Sequence, residues 1–347
     1  MLIKGEITYT RKHEIGTGQG MHSHVYLADD PQLGGEIAVK EIDKVNFGTS
    51  VSDYFNEAQV MFQVDHQNVV PILCAFQTAD KICLAMRFFK NGSLRNRTVN
   101  GPLALKEVTK LGQGVLSGLI SIHLKNLIHF DIKPSNIFYS DSGVPMVADF
   151  GQSRVAGPMG IASRPGMYLD GIPPECYSGV GSFQSDVYQT ALTLYRAANG
   201  DAFFDSQRST DPLEVETRTL AGEFPRRDKF LPHVPKLLRT VIRKALSLDP
   251  ADRYQTASDF ADALGKVDIK TDWQTTAHPG GNLLWTGKKI GKPRLEIELI
   301  RSGNKCDVQF HKCGKKKLQM QRNTLWKTGL TERQAFHHLK SYFDSAA

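Results

Sequence analysis

The sequence predicts an α+β protein of two lobes, β-rich first and helical second, followed by a small C-terminal α+β module. Three observations predict it. Between residues 13 and 90, short apolar runs alternate with Gly, Asn, Asp and Pro, the pattern of strands and turns. From about residue 104 the apolar spacing changes to three and four, the pattern of helices. At residue 267 the charge changes. Residues 1–266 carry 28 Lys and Arg against 29 Asp and Glu, whereas residues 267–347 carry 15 against 7. The net charge of +7 therefore resolves into a nearly neutral body and a strongly basic last segment.

A composition of 40% hydrophobic and 23% charged residues over 347 positions excludes collagen-like, disordered and disulfide-dense classes. No apolar run approaches the roughly 18 residues of a membrane span, and Met1-Leu2-Ile3-Lys4-Gly5-Glu6 lacks the apolar stretch of a secretion signal. Five cysteines, odd in number and without framework spacing, predict free thiols in a reducing cytoplasm.

Taken in order, Val25-Tyr26-Leu27-Ala28, Ile37-Ala38-Val39-Lys40 and Ile82-Cys83-Leu84-Ala85-Met86 read as strands of the first lobe. One helix interrupts them over 52–63, where Phe55, Ala58, Met61 and Phe62 share a face. In the second lobe, Leu111, Val115, Leu116, Leu119, Ile120, Ile122 and Leu124 cover one broad face of a buried helix. Further helices are expected at 185–198, 235–247 and 257–265. Residues 267–284, with Asp272-Trp273 and His278-Pro279-Gly280-Gly281, read as a linker and a turn. Strands at 283–285, 295–300 and 306–310 and a helix near 331–343, starting at Thr331, complete the last module.

Five signals then occur in one order. Ile15-Gly16-Thr17-Gly18-Gln19-Gly20-Met21-His22-Ser23-His24-Val25 joins two strands; its glycines let backbone amides approach phosphate oxygens, and Val25 can cap an adenine ring. Lys40 ends a strand and Glu57 lies on the next helix, an ammonium for phosphate held by a carboxylate. His129-Phe130-Asp131-Ile132-Lys133-Pro134-Ser135-Asn136 sets a carboxylate and a carboxamide five residues apart, suited to a substrate hydroxyl and a metal ion. Val147-Ala148-Asp149-Phe150-Gly151 puts an acid at a strand end beside a flexible glycine. Pro173-Pro174-Glu175 comes next, with Asp186 and Arg253 beyond. Singly, each has an ordinary reading as a turn or a solvated charge; the order is what carries the signal.

On these motifs residues 11–266 resemble a protein kinase domain of the eukaryotic-like (Hanks) Ser/Thr type in its bacterial style. The resemblance implies a two-lobed protein-kinase fold, with an N-lobe over about 11–90 and a C-lobe over about 91–266, and residues 267–347 as a small basic regulatory or docking module. It implies ATP and Mg²⁺ as cofactors and protein Ser/Thr hydroxyls as acceptors. By position, Lys40 would grip the α- and β-phosphates and Glu57 would hold Lys40. Asp131 would orient the acceptor and take its proton, and Lys133 would neutralise the γ-phosphate. Asn136 and Asp149 would bind the metal. Ile15, Gly16, Gly18, Gly20, Ser23, Val25, Ala38, Met86 and Phe88 would enclose the nucleotide, with Met86 gating the adenine pocket ahead of the hinge Arg87-Phe88-Phe89. Met61, Leu73 or a near neighbour, His129 and Phe150 would form the apolar column between lobes. Asp186 would anchor the catalytic loop, and Glu175 would pair with Arg253.

Four departures from the family pattern stand out. Eight residues separate Gly16 from Val25, with Ser23 at the usual third-glycine place. Phe130 replaces the arginine that ordinarily reads a phosphate on the activation segment, so activity is expected to be constitutive or governed by a partner or the C-terminal module. The segment from Asp149 to Glu175 contains no threonine; its hydroxyls are Ser153, Ser163 and Tyr168. Asp186-Val187-Tyr188-Gln189-Thr190 lacks the common small-residue ending, read as a packing variation.

In the basic module, His311-Lys312-Cys313-Gly314-Lys315-Lys316-Lys317, Arg322 and Lys327 lie near Trp285 and Trp326. Such a mixture suits an acidic protein or nucleic acid, and equally a solvated lysine face. Cys306, His311 and Cys313 lack the spacing and the fourth ligand of a zinc site. The alternatives to a protein kinase are a small-molecule kinase, against which Pro174-Glu175 and Arg253 speak, and a pseudokinase scaffold, against which the complete catalytic set speaks.

Overall fold

Turns at Gly34-Gly35 and Ala79-Asp80 fold the first lobe into an antiparallel sheet in the computed structural model, which describes residues 7–15, 23–44, 59, 62–166, 171–313, 318–320 and 326–346. Strands β1 (Thr10–Ile15), β2 (Ser23–Asp30), β3 (Gly35–Asp43), β4 (Ile72–Gln77) and β5 (Lys81–Arg87) run in the order β1-β2-β3-β5-β4. Because successive side chains of a strand point to opposite faces, β3 sends Ala38 and Lys40 toward the interlobe cleft. Ile37 and Val39 go to the far side, where they pack with Ala28, Cys83 and Ala85. Glu41 shares that far side and is buried, and Arg11, Lys81 and the Tyr9 hydroxyl all reach its carboxylate. The helix expected over 52–63 lies mostly outside the described residues; Gln59, Phe62 and Gln63 are helical.

After the short helix α1 (Arg95–Thr98), α2 (Leu105–Leu124) forms the axis of the second lobe. Its buried face is the predicted one except at its end, where Leu124 is 80% exposed as the helix runs out into the turn before β6. Strands β6 (Leu127–Ile128), β7 (Ile137–Tyr139), β8 (Pro145–Val147), β9 (Arg154–Val155), β10 (Ile161–Ser163) and β11 (Val180–Ser182) form short pairs, β6 with β9, β7 with β8 and β10 with β11. Helices α3 (Phe183–Asn199), α4 (Asp201–Asp205), α5 (Pro212–Leu220), α6 (Lys236–Ala245) and α7 (Ala257–Gly265) complete this lobe, and α3, α6 and α7 match the predicted spans. Thr256 caps α7 through a reciprocal capping box with Asp259.

The last module is an antiparallel sheet of β12 (Asp272–Ala277), β13 (Leu283–Lys288), β14 (Leu295–Ser302), β15 (Lys305–Cys313), β16 (Leu318–Met320) and β17 (Lys327–Leu330), closed by α8 (Glu332–Ala346). Strand β15 carries both β16 and β17 along one edge. The sequence expectation of a linker around Asp272-Trp273 is corrected: these residues begin β12, and Trp273 is buried. Its indole lies over the cross-strand Gly287, where any Cβ would approach the ring to 2.6 Å. A strand this short, half of it Thr and Gln, carries too little apolar alternation to be read from sequence.

The module shares its core with the second lobe. Trp273, Trp285, Ile297, Leu299, Val308, Leu339 and Phe343 join one continuous hydrophobic cluster with α2, α3 and α6. At the seam lies His233, 1% exposed in the loop before α6. The Trp285 indole Nε1 donates to His233 Nδ1 at 3.1 Å, and Thr275 Oγ1 stands 3.2 Å from His233 Nε2. Arg239 of α6 makes a two-pronged ion pair with Asp344 of α8, and the Lys106 backbone N–H donates to Asp272. Trp285, grouped by sequence with the lysines as a stacking platform, is fully buried and unavailable to a nucleic-acid base.

Burial drives the His233 pKa down from 6.5 to about 3. A base that is neutral when folded takes up its proton on unfolding, so this stabilisation is complete above pH 6.5 and is lost as pH falls toward 3. The slope from this group is about 1.4 kcal/mol per pH unit. Denaturant titrations between pH 7 and 4 should show His233→Gln with a correspondingly shallower loss than the parent; equal slopes would remove His233 from this role. Trp285→Ala should lower stability by about 3–5 kcal/mol in the same measurement.

Candidate active site

The site begins with a backbone that would not hold its shape unaided. Phe130 and Asp149 both adopt left-handed φ of 63°, a conformation uncommon outside glycine, tolerated by aspartate and avoided by a bulky ring such as that of Phe130. In the loop 129–136 the geometry is imposed by α3, which starts beneath it. Asp186, fully buried, accepts the backbone N–H groups of His129 and Phe130, each at 2.8 Å, and lies 2.9 Å from His123 Nε2. One turn further on, Gln189 donates to the Phe130 carbonyl at 2.8 Å and accepts the Ile132 N–H at 3.1 Å. Thr193 adds a contact to the Ile132 carbonyl. Positions 186, 189 and 193 fall on one helical face, so a single stripe of polar side chains fixes the loop. Gln189 thus has a larger role than a packing variation. Its signal in the sequence is a polar residue where a small one is usual.

The loop so held converges on Asp131, 7% exposed. Lys133 Nζ and Asn136 Nδ2 both donate to Asp131 Oδ2 at 2.8 Å, and Asn136 also donates to the Asp131 carbonyl at 3.0 Å. No donor among the described residues reaches Oδ1, which leaves an acceptor for an incoming hydroxyl. The amide nitrogen of Asn136 is turned to Asp131, while its carbonyl oxygen accepts a long hydrogen bond from the Ser135 hydroxyl at 3.4 Å and keeps a lone pair that can meet a cation.

Across the cleft, Lys40 Nζ lies 2.7 Å from Asp149 Oδ1, a part-buried ion pair between β3 and the segment after β8. Burial raises the Asp149 pKa, but the charge and hydrogen bond of Lys40, with Lys133 behind them, outweigh it and bring the value from 3.8 down to about 2. Asp149 is therefore an anion at any physiological pH. Glu57, the expected partner of Lys40, lies outside the described residues, as do Gly16, Gly18, Gly20, Met61 and Tyr168.

The other predicted nucleotide contacts come together. A cleft of about 680 Å³ is lined by Ile15, Ser23, Val25, Ala38, Lys40, Met86, Phe88, Asn136 and Asp149. Val70 and Leu84 extend its apolar wall, and Ser93, Arg95 and Asn96 reach its mouth. Of the apolar column, the rings of His129 and Phe150 meet with centroids 4.9 Å apart, tilted at 60° to each other. Leu73 does not join it: it is 46% exposed, because β4 shifts register against β5 between Ile72 and Cys74 and turns Ile72 and Ala75 inward instead.

Phe130 fills the place of the absent arginine with an apolar contact. It is fully buried with Ile128, Ala156, Ile172 and Cys176. Its ring presses on Gly181, where a Cβ would come within 2.4 Å of Cε1. The segment from 149 to 175 is also held by β9 on β6, by β10 on β11 and by the Asn126 side chain, which donates to the Ala156 carbonyl. Its far end is fixed by Glu175. Arg253, 2% exposed, gives that carboxylate two hydrogen bonds of 2.8 and 2.6 Å. It spends its remaining donors on the carbonyls of Gln184, Ser247 and Leu248. Ser185 adds a third hydrogen bond to Glu175.

Comparison with known proteins agrees with this geometry. Residues 9–263 match the family model described as protein kinase domain. Serine/threonine-protein kinase PrkC of Bacillus subtilis (strain 168) is 29% identical over 262 residues, covering 73% of this chain and 39% of that protein. Serine/threonine-protein kinase pkn2 of Myxococcus xanthus is 29% identical over 260 residues, 71% of this chain and 31% of its own. A probable serine/threonine-protein kinase PknB of Bifidobacterium longum (strain NCC 2705) is 29% identical over 290 residues, 75% and 39% respectively. The aligned part of this chain thus spans two fifths or less of the length of these relatives.

Removing one member of a buried ion pair strands the other charge, at a cost of about 3–5 kcal/mol. Arg253→Glu should therefore lose that much stability by chemical denaturation and show a lowered melting temperature; unchanged melting would refute the structural role of the pair.

Proposed function

Since the chain belongs to the protein kinase family, we propose that it is a serine/threonine protein kinase that transfers the γ-phosphoryl group of Mg-ATP to protein hydroxyls. The observation that carries the reading is the convergence of Asp131, Lys133 and Asn136 on one side of the cleft with the Lys40–Asp149 pair on the other. Bound Mg-ATP supplies the phosphoryl group and part of the charge neutralisation. Asn136, through its carbonyl oxygen, which meets only a long contact from the Ser135 hydroxyl at 3.4 Å, and Asp149, ionised and facing the cleft, are suited to hold the metal. Lys40 would exchange its contact with Asp149 for the α- and β-phosphates, steadied by Glu57. Val25, Ala38 and Met86 offer apolar surface to the adenine, Ile15, Ser23 and Phe88 line the same cleft, and by the family resemblance Gly16, Gly18 and Gly20 would complete its enclosure. Asp131 Oδ1 would accept the hydroxyl proton while Lys133, fixed on Oδ2, faces the developing charge.

The apolar seat of Phe130 supports activity that needs no phosphate on the activation segment, because the contact that docks the segment carries no charge to be read. Ser163, exposed in β10, is the described hydroxyl best placed to be modified there. Residues 267–347 are read as a module fused to the kinase lobe that keeps its basic residues for an acidic protein or nucleic acid. A reducing cytoplasm suits the free thiols of Cys74, Cys83, Cys176 and Cys306. Among the described residues no helix is long and apolar enough to cross a membrane.

Incubation with γ-labelled ATP and Mg²⁺ should place label on protein serine or threonine. Label only on a metabolite would favour a small-molecule kinase, and none at all a scaffold. Asp131→Asn should bind nucleotide with nearly parental affinity yet lose transfer by at least about 10²-fold, as expected when a positioned base is removed. Lys40→Ala and Asp149→Ala should weaken nucleotide and metal binding as well. Phosphatase treatment should leave the rate within about twofold of the untreated enzyme; a sharp fall would overturn the phosphate-independent reading.

A further inference from the structure

The hairpin that joins β13 to β14 carries charge that the fold does not use. Lys288-Lys289-Ile290-Gly291-Lys292-Pro293-Arg294 holds four cations in seven residues, and no acidic residue occurs between Asp272 and Glu296. All seven residues are exposed. Arg294 pairs with Glu296, whereas Lys288, Lys289 and Lys292 make no ion pair among the described residues. Asp272, opposite Lys288 in register, uses its carboxylate on the Lys106 backbone N–H.

The tip is a defined turn. The Lys292 N–H donates to the Lys289 carbonyl at 3.1 Å, and Gly291 takes a φ of 70°, as the third residue of a type II turn requires. Ile290 therefore stands at the apex. At 92% exposure it is the most exposed large apolar side chain among the described residues. Single exposed apolar residues are ordinary on protein surfaces. This one differs in its place, at the end of a turn with an unpaired lysine on either side. The base of the hairpin is rigid. Trp285, three residues before Lys288 on β13, is fully buried at the seam with the second lobe, and its cross-strand partner Ile297 is buried too. A tip projected from such a base has little left to order on binding.

Two demands coincide here. The isoleucine gains by leaving water, and the ammonium groups behind it gain by meeting anions. The interface of an anionic bilayer answers both in that order, with acyl chain ends of the headgroup region for the apex and headgroups for the lysines, whose long stems keep the charge at headgroup level. A nucleic acid offers phosphates, but its bases stack on rings and the apex has none. An acidic protein would match the lysines and leave the isoleucine without a purpose.

Going beyond the catalytic reading, and independently of it, we propose that the hairpin 288–294 docks the protein reversibly on a membrane surface rich in anionic lipid, with Ile290 entering the interface and Lys288, Lys289 and Lys292 meeting the headgroups. The lysines of residues 312–327, read above for an acidic protein or nucleic acid, have no part in this contact. One apolar side chain and three cations give weak attachment, so it depends on anionic lipid and is screened by salt.

Sedimentation of the full chain with vesicles of phosphatidylcholine alone, and of phosphatidylcholine mixed with phosphatidylserine, tests this. At low salt the mixed vesicles should bind about 10²-fold more tightly, at about fivefold per lysine, and the advantage should fade toward about 0.5 M salt. K288Q/K289Q/K292Q should lose most of that advantage. Ile290→Ser should weaken binding about tenfold and keep its salt dependence. Ile290→Trp should bind like the parent and shift its emission to the blue on mixed vesicles, which a purely electrostatic contact would not produce. Parental melting of each variant separates docking from damage to the fold. Equal binding to both vesicle types, binding to neither, or a lysine variant that keeps the advantage overturns the proposal. Duplex DNA or polyglutamate held through the three lysines, with Ile290→Ser indistinguishable from the parent on every partner, overturns it as well and gives the hairpin to that polyanion. Transfer of label from ATP is read separately, so each of these outcomes leaves the kinase reading where it stands.

Discussion

The loop 129–136 depends on one buried carboxylate. Asp186 sits without solvent beneath residues 129–131 and is satisfied by two backbone N–H groups and a histidine ring nitrogen. An isolated carboxylate there would be prohibitively costly, so the charge and the amides require one another. The left-handed turn at Phe130 costs about 1–3 kcal/mol by itself. Two hydrogen bonds to an ionised acceptor, each contributing about 1.5–3 kcal/mol, outweigh it. The remainder of the loop inherits that turn, which sets the direction of Asp131, the reach of Lys133 and the closure of Asn136 back onto Asp131. Gln189 and Thr193 extend the same support along α3, so the helix acts as a rigid rail for the loop.

Two further buried polar contacts tie outlying parts to this frame, and they differ in kind. Glu175 and Arg253 are both charged, and nearly every donor and acceptor of the pair is used. Such a pair gives little net stability over an apolar substitute, but it admits one arrangement only and so fixes where the segment 149–175 ends. His233, Trp285 and Thr275 are neutral and lie within a large apolar contact. There the indole and imidazole supply a hydrogen bond inside area that would be buried in any case. The first contact sets position, while the second makes the C-terminal module part of the lobe it adjoins.

Much of this is legible in the sequence because it is local. The five motifs keep their order and spacing whatever the fold does around them, and the long helices announce themselves by periodicity. The illegible part is long-range. Nothing near Trp285 in the sequence indicates that its partner is His233, 52 residues away, so an aromatic among lysines resembles a surface for stacking. Strand β12 is defined by its pairing with β13 more than by its own composition, so it reads as linker. Leu73 points inward by alternation until the register shift in β4 turns it out. Gln189 is visible as an oddity, but the carbonyl and amide it serves lie more than 50 positions away.

Phe130 connects these points. An arginine at its position would offer a charge, and a charge can be answered or left unanswered by a phosphate added elsewhere. A phenyl ring offers surface, and its complement is built in: Ile172 near the end of the segment 149–175, Cys176 just past it and the bare backbone of Gly181 on β11. Contact of that kind is short-ranged and insensitive to salt, and no covalent charge switches it off without also breaking the core. The glycine is as much a part of the device as the ring, since a single methyl at 181 would collide with it. The described part of the segment is thereby docked by core packing, which is complete once the chain has folded.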